Sequence, residues 1–284
     1  TIEDYAFDGC ASLKELIVPA GVKTIGRGAF YGCSDLKKVT LEQGIEEIGR
    51  DAFLGCSSLM EITIPGSVKK IENNTFESAG NLNKVTLGYG IESIGKYAFK
   101  GNEITELKLP GSLKSIGDEA FCGNKLTKVT IPNGVTSIGE HAFANNEITE
   151  LKLPSSLERI SYCTFSSNNL TKVVIPSGVT SIGDWAFSTN NLTRVVIQDG
   201  VTSIGDRAFE SNYELTEVVI PASVTYIEEE AFGWNQTRSE NLVIYGYEGS
   251  YAETYAEEND IKFVAYDGKY KESVPKGRYG IFVV

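Results

Sequence analysis

A pattern of apolar and polar positions repeats along most of the chain, and phenylalanine is its most regular member. Eleven of the 13 Phe residues follow one another at intervals of 22 or 23 positions. They stand at Phe7, Phe30, Phe53, Phe76, Phe99, Phe121, Phe143, Phe165, Phe187, Phe209 and Phe232. A period this regular indicates stacked structural repeats, because a single unit of that length cannot bury its own apolar edge. We therefore expect one array of about eleven coils, the first of them partial.

Each unit opens with a short stretch in which apolar and polar residues alternate. In the unit that starts at Leu126, Val129 and Ile131 share one face of a predicted strand, while Lys128 and Thr130 share the other. Seven of the eight Pro residues directly follow this strand and end it. A second short extended piece leads to a glycine, which suits a tight corner. The Ala-Phe pair beyond it predicts one helical turn with the Phe in the core.

The repeat unit resembles a leucine-rich repeat, and more narrowly the BspA-like type. The resemblance rests on the 22–23-residue period and on the I-G-x-x-A-F signature, as in Ile138-Gly139 and Ala142-Phe143. It covers residues 1–246 and implies a right-handed solenoid, dominated by a parallel sheet, with short helical turns on the opposite side. It also implies a bacterial protein of the extracellular space or cell surface that takes part in adhesion.

The two ends of the chain depart from the repeat. The chain starts in the second half of a coil, so we expect further repeats or another module upstream. After the solenoid of residues 1–246, residues 247–266 are predicted to form a C-terminal cap. There Ser250 and Glu253 have the spacing of a capping box that opens a helix, and residues 261–264 read as a closing strand. Residues 267–284 are either a tail or the start of a further module.

The composition limits the partners and the kinds of catalytic or metal site that we expect. Lys and Arg number 26 against 38 Asp and Glu, which gives a net charge of −12 and argues against a nucleic-acid partner. The single His leaves few ways to build the commoner general-base or metal sites. No apolar run is long enough to span a membrane. We predict no catalytic residues, no cofactor and no metal.

One column of the repeat, three positions after Phe, holds Cys or Asn. Its Cys members are Cys10, Cys33 and Cys56. Its Asn members are Asn102, Asn124, Asn146, Asn168, Asn190, Asn212 and Asn235. Leucine-rich repeats use this position as a ladder that hydrogen-bonds the backbone, so we interpret the three thiols as buried structural groups. A metal site made from stacked thiols is the alternative.

Two outward-facing strand columns carry the candidate binding residues. In the first, positive and negative side chains alternate between neighbouring strands, which predicts a cross-strand ion ladder. The alternation breaks at Lys172 and Arg194, two adjacent cations. In the second column, Val174, Val196 and Val219 predict a modest exposed apolar stripe beside those cations. These five residues are our candidates for a ligand-binding face, although Val in strands is also favoured by β propensity alone.

The column two positions before Phe varies from coil to coil, and we interpret it as facing solvent. It contains His141, which is therefore predicted to be a surface residue rather than a catalytic base. It also contains Trp185, which is a sixth candidate for ligand binding. The indole ring either anchors a partner or lies flat on the neighbouring coil.

These observations favour a non-enzymatic binding or adhesion module that presents a repetitive face to a protein or glycan ligand. The alternative is a carbohydrate-active or cell-wall-processing protein in which the array targets the enzyme or forms it. Such an enzyme needs a groove built by long loops, whereas the coils have nearly constant length. We expect no nucleic-acid partner and no membrane-spanning segment.

Overall fold

The computed structural model describes residues 1–233 and 241–265, which form a parallel-strand solenoid of about eleven turns with one α-helix. Most turns contribute one longer strand to one side of the rod and a two-residue strand to another side. In chain order the elements are β1 (Glu15–Val18), β2 (Thr24–Ile25), β3 (Lys38–Leu41), β4 (Glu47–Ile48), β5 (Glu61–Ile64), β6 (Lys70–Ile71), β7 (Lys84–Leu87), β8 (Ser93–Ile94), β9 (Ser115–Ile116), β10 (Lys128–Thr130), β11 (Ser137–Ile138), β12 (Glu150–Lys152), β13 (Arg159–Ile160), β14 (Lys172–Ile175), β15 (Ser181–Ile182), β16 (Arg194–Ile197), β17 (Ser203–Ile204), β18 (Glu217–Val219), β19 (Tyr226–Ile227), β20 (Val243–Gly246), α1 (Tyr251–Glu258) and β21 (Lys262–Ala265).

The strands pair in parallel, and each residue lies opposite the same column position of the next coil, as Val173 lies opposite Val195. The longer strands form three separate sheets, β1-β3-β5-β7, β10-β12 and β14-β16-β18-β20-β21. The short strands form two, one of six strands from β2 to β11 and one of four from β13 to β19. The sheet of longer strands is therefore interrupted, whereas the predicted repeat pattern is not.

One interruption falls on residues 106–109, where the repeat predicts a strand and none forms. A single isolated bridge joins Lys84 to Glu106 there. At the inner positions this segment has Leu107 and Leu109, where the next coil has Val129 at the position matching Leu107. Strand propensity does not explain the gap, because residues 146–154 are identical to residues 102–110 and contain the strand β12 (Glu150–Lys152).

The Phe column forms the core of the rod, as the periodicity predicted. The side chains from Phe30 to Phe209 in this column are fully buried. Consecutive rings stack with centroids 5.2–5.6 Å apart and planes within 14° of parallel. The backbone follows the rings, because the Phe30 N–H donates to the Ala52 carbonyl of the next coil at 2.9 Å. At the first coil the stack ends on Phe7, which is 43% exposed.

Glycine is needed at the corner position for a different reason from the one that the sequence suggested. Gly117, a typical member, does not adopt the left-handed conformation. A Cβ atom there would instead lie 2.7 Å from the Lys96 backbone nitrogen and 2.8 Å from the Gly95 carbonyl carbon. Glycine is needed because neighbouring coils approach too closely for a side chain, and not because the corner is strained.

The C-terminal cap closes the Phe stack. Tyr255 of α1 is buried edge-on against Phe232, with the ring centroids 5.9 Å apart, and β21 pairs with β20. The predicted helix and closing strand are thus confirmed, but the capping box is not. The Ser250 hydroxyl has no hydrogen-bond partner among the described residues, and the Glu253 carboxylate accepts from the Gly249 N–H at 2.6 Å. The predicted tail at 267–284 lies outside the described residues, as does Asn235.

Two glycines of one coil test the contact between coils. We expect Gly117→Ala to lower the free energy of unfolding by about 1–3 kcal/mol, because the new methyl group overlaps the backbone of the preceding coil. Gly111→Ala is the matched control, since a Cβ atom there meets nothing within 4 Å. It should leave stability within about 1 kcal/mol of the parent or raise it slightly. Urea unfolding of both variants measures this, and equal losses would contradict the explanation.

Candidate binding surface

Charged side chains on the outer face of the longer strands form the predicted ladder between coils. Lys84 Nζ lies 3.6 Å from Glu61 Oε2, and Lys128 Nζ lies 2.5 Å from Glu150 Oε2. These side chains are more than half exposed, so each pair contributes between a few tenths of a kcal/mol and about 1 kcal/mol to the stability of the fold. The ladder sets the charge pattern of the face but supplies little of the stability of the fold.

The candidate residues of this face separate into exposed and covered ones. Lys172 is exposed on β14, Val174 is 52% exposed two residues later, and Val196 is half-buried on β16. Val219 was predicted to extend the exposed stripe, but it is only 8% exposed. It lies opposite Tyr245 of β20, so the stripe ends where the sheet continues towards the cap.

Arg194 is not the open cation that the sequence suggested. Its side chain is only 17% exposed, and Arg194 Nε lies 3.3 Å from Glu217 Oε2 on the next strand. The ion ladder therefore resumes at β16–β18, while Lys172 makes no ion pair with any described residue. We call the surface of Lys172, Val174 and Val196 the β14–β16 face.

The variable column before Phe is a backbone corner rather than a simple solvent-facing position. Nearly all its members have a left-handed backbone, with φ of 58° at Trp185 and 54° at His141. Asp51 and Cys163 of the same column are buried, which corrects the prediction that the column faces solvent. The members of this column share a left-handed backbone conformation and not a common exposure to solvent. Variation in side-chain type was therefore a misleading signal of exposure.

Trp185 lies against the neighbouring coil, the second of the two predicted arrangements. The Arg207 guanidinium sits over its half-buried ring, 5.0 Å from the centroid. Arg207 Nη2 in turn lies 2.6 Å from Glu230 Oε2. Burial raises the pKa of the nearby Glu210 carboxyl, and the Arg207 charge opposes that rise. Trp185 is thus one member of a polar and aromatic cluster that spans three coils.

His141 is half-buried at the surface of the rod, which agrees with its predicted place in the fold. Its ring meets the Tyr162 ring edge-on, with the centroids 5.1 Å apart. Nothing in this contact supplies the acceptor that would orient the imidazole as a general base. In residues 1–233 and 241–265, no group of three or more His, Cys, Asp or Glu side chains is arranged to hold a metal ion.

The Asn and Cys column forms the predicted ladder to the backbone. Asn146 Nδ2 donates to the Phe121 carbonyl of the preceding coil at 2.9 Å, and its Oδ1 accepts from the Leu126 N–H at 3.1 Å. Cys56 donates through its thiol to the Phe30 carbonyl at 3.2 Å. Cys33 makes the equivalent contact, whereas Cys10 is exposed.

A second ladder of side chains was missed by sequence reasoning. The Asp118 carboxylate accepts from the Glu140 N–H of the next coil at 3.1 Å, and Asp184 accepts from the Asp206 N–H at 3.0 Å. Asp4 makes the same contact in the first coil, where its carboxylate accepts from the Arg27 N–H of the next coil at 2.7 Å. The signal was present in the sequence, because Asp directly follows the corner Gly in several coils, but it resembles ordinary surface polarity.

The fold and the ladders define a leucine-rich repeat solenoid. The chain matches the profile of the BspA type leucine-rich repeat region in six copies, over residues 1–126 and 114–238. It therefore belongs to the BspA-type leucine-rich repeat family, as the repeat signature indicated. Within the described ranges, no helix has the length and apolar character needed to cross a bilayer.

Solved structures of similar architecture come from bacteria. A leucine-rich repeat protein from Bacteroides ovatus is 27% identical, with a TM-score of 0.57, over 89% of this chain and 69% of that one. A leucine-rich cell surface protein from Faecalibacterium prausnitzii is 23% identical, with a TM-score of 0.47, over 95% and 84%. The pneumococcal vaccine antigen PcpA is 18% identical, with a TM-score of 0.46, over 94% and 83%. No curated protein sequence matches significantly.

The thiols give a test of the ladder. Burial raises the pKa of Cys33, Cys56, Cys122 and Cys163, with that of Cys56 raised to about 12. At about pH 8 these groups stay protonated and unreactive. We expect a thiol reagent to modify exposed Cys10 first, with the other four reacting only as the protein unfolds. Mass spectrometry of the native protein measures this, and Cys10→Ser should abolish the fast phase. Fast modification of Cys33 or Cys56 would contradict the buried ladder.

Proposed function

We propose that this chain is a non-enzymatic binding module of the bacterial cell surface that uses the solenoid for adhesion to a protein or glycan. Membership of the BspA-type family supports this role and this location. Leucine-rich repeats are typically scaffolds on which variable surface side chains are displayed, while the constant columns hold the coils together. The ligand contacts side chains that are not needed for the stacking of the coils.

The β14–β16 face carries the proposal, because its exposed groups have no role in stacking. Lys172 makes no ion pair with any residue in the described ranges, while its neighbour Arg194 is occupied by Glu217. Val174 exposes an apolar side chain next to that ammonium group. A cation beside an apolar stripe offers both a charge contact and apolar area to a partner. Trp185 is not counted as a binding anchor, because the Arg207 guanidinium of the next coil covers its half-buried ring.

The carbohydrate-active alternative would need carboxylates held free for acid–base chemistry. The prominent buried carboxylates are instead engaged by neighbours. Asp51 accepts from the Asn74 side-chain amide at 2.8 Å and lies near Arg27 and Arg50. Glu210 sits 3.7 Å from the Arg207 guanidinium. These contacts are those of a structural network between coils, and they favour binding over turnover.

One variant tests the proposal. The purified chain is assayed on arrays of extracellular-matrix proteins and bacterial or host glycans, with product analysis of each glycan. We expect binding without turnover, weakened about tenfold by Lys172→Glu because a favourable charge contact becomes a repulsive one. Lys14→Glu at the far end of the rod is the matched control and should bind like the parent.

The outcomes separate the two functions. Release of cleaved glycan would overturn the non-enzymatic proposal. Equal binding by Lys172→Glu and the parent would leave adhesion possible elsewhere on the rod but would overturn the choice of the β14–β16 face.

A further inference from the structure

One coil in the second half of the rod lacks sheet pairing on one side towards each of its neighbours. A regular coil, such as that of β16 and β17, pairs with both neighbours through its longer strand and through its short strand. The coil of β12 and β13 pairs through β12 with β10 before it and through β13 with β15 after it. Among the described strands, β12 does not join β14, and β13 does not join β11. We call this coil, residues 148–169, the joint coil.

On the short-strand side the pairing is lost because the corner residue has a side chain. The corner position of the joint coil holds Ser161, whereas the neighbouring coils have Gly139 and Gly183 there. The Gly139 N–H donates to the Ile116 carbonyl of the preceding coil at 2.9 Å, and Gly183 makes the equivalent bond at 2.8 Å. The Ser161 hydroxyl instead donates to the Ile138 carbonyl at 2.8 Å, and the Ser161 N–H has no backbone acceptor among the described residues. A side chain therefore separates two backbones that bond directly at the other corners.

The joint coil is displaced from the coil before it. The distance from the Glu158 nitrogen to the Thr136 carbonyl oxygen is 3.4 Å, whereas the equivalent distances at the junctions before and after are 3.0 and 2.9 Å. The rings of Phe143 and Phe165 are 5.6 Å apart, which is the widest spacing in the Phe column. The largest tilt between consecutive rings, 14°, falls at the next junction, between Phe165 and Phe187. Backbone and core thus depart from the regular stack at the same coil.

On the long-strand side the joint coil is loosened from the coil that follows it. Thr149 and Thr193 each donate their N–H to the Thr of the preceding coil at 2.9 Å, and their hydroxyls donate to the same carbonyls. Neither the N–H nor the hydroxyl of Thr171 makes this bond within the described ranges. Residues 102–110, which are identical to 146–154, also lack pairing with the strand after them, β10. The loosened edge therefore recurs wherever this segment of sequence occurs.

Each junction of the joint coil is still held on two sides. At the first junction β12 pairs with β10, and the Phe143 N–H donates to the Thr164 carbonyl at 3.0 Å. At the second junction β13 pairs with β15, and the Phe165 N–H donates to the Ala186 carbonyl at 2.9 Å. Motion in a repeat array concentrates at interfaces that have lost contacts. Here the two weakened edges lie on different sides of the rod, so their opening tilts the rod in different directions.

We propose that the joint coil is a hinge of the rod. The arm before it and the arm that begins at β14 change their mutual angle by opening the short-strand edge at Ser161 and the long-strand edge at Thr171. The Phe column stays closed and acts as the pivot. The ion ladder of the first arm and the β14–β16 face of the second arm thereby turn relative to each other, which lets two stiff faces meet a partner at more than one angle. The hinge goes beyond the proposed function, because it requires no ligand.

Amide hydrogen exchange of residue 161, measured by NMR, tests the first edge. Relative to intrinsic rates, this amide should exchange at least about tenfold faster than those of Gly139 and Gly183, because it alone of the three lacks an acceptor. Ser161→Gly lets the backbones meet, so the amide should gain the protection of the other two. Ser161→Ala is the matched control and should leave the amide fast, because a Cβ atom at such a corner is too close to the preceding coil. At Gly183 it would lie 2.9 Å from the Ser161 carbonyl carbon.

Distances between spin labels test the motion itself. Labels on the exposed native Cys10 and on Thr254→Cys of α1 span the hinge, whereas labels on Cys10 and Thr86→Cys lie within the first arm. We expect the spanning pair to give a distance distribution at least about twice as broad as that of the arm pair. Ser161→Gly should narrow the first distribution and leave the second unchanged. The double variant Ser161→Gly/Thr164→Ala restores the signature of the other coils and should narrow it at least as far.

The outcomes decide for or against the hinge. Equal widths for the two label pairs in the parent would overturn it, as would a spanning pair that both variants leave unchanged. Slow exchange of the residue 161 amide in the parent would also contradict it. None of these measurements uses a ligand, so the hinge and the binding role of the β14–β16 face fail separately.

Discussion

The structure depends on the fit of each coil against an equivalent coil. A stack of rings more than forty ångströms long would be impossible if successive units differed in rise. Each Phe ring must meet the next ring while the Phe N–H meets a carbonyl of the next coil. The rings of Phe121 and Phe143 are 5.4 Å apart, and the Phe121 N–H donates to the Ala142 carbonyl at 2.9 Å. Corner glycines such as Gly117 let the backbones come that close. Stability in such an array is a sum of contacts between neighbours.

The same requirement explains where the structure is imperfect. The four intervals before Phe99 have 23 residues, the five after it have 22, and the last, from Phe209 to Phe232, has 23 again. At the first of these changes Asn102 keeps its donor contact with the Phe76 carbonyl, but its Oδ1 has no hydrogen-bond partner in the part of the chain that the structure describes. In later coils the equivalent oxygen accepts a backbone N–H, as Asn124 does from Ile104. The orphaned oxygen lies in the coil whose predicted strand does not form, so the change in coil length and the break in the sheet occur together.

Much of the fold could be predicted because a repeat turns one observation into eleven. The Phe interval predicted the core, and the Cys and Asn column predicted its ladder. The left-handed corner at Trp185 could not be predicted, because the residues there share a backbone conformation and no side-chain property. The break could not be suspected from Leu107 and Leu109, because Leu151 and Leu153 occupy the same positions in an identical segment that does form a strand. The cover over Arg194 and Val219 depends on contacts between strands, and no single column contains that information.

The stacking of the coils also determines which surface positions can bind a partner. Columns that fill the core or bond the backbone of the next coil are nearly fixed in type, and exposed positions outside these contacts are free to bind a partner. Lys172 and Val174 are such positions on β14, the edge strand of the last sheet of longer strands. Residues 106–109 are a different case, because there the stack itself leaves groups unpaired. The Phe core beneath both of these surfaces is continuous, and the rod depends on that continuity.

Native-state hydrogen exchange of the Phe amides tests that continuity most directly. If the Phe-side core holds the rod together across the breaks in the sheet, the amides from Phe30 to Phe209 should exchange slowly and with similar protection, and that of Phe7 faster. Protection that falls sharply between Phe99 and Phe121, with two independently opening halves, would contradict a continuous core.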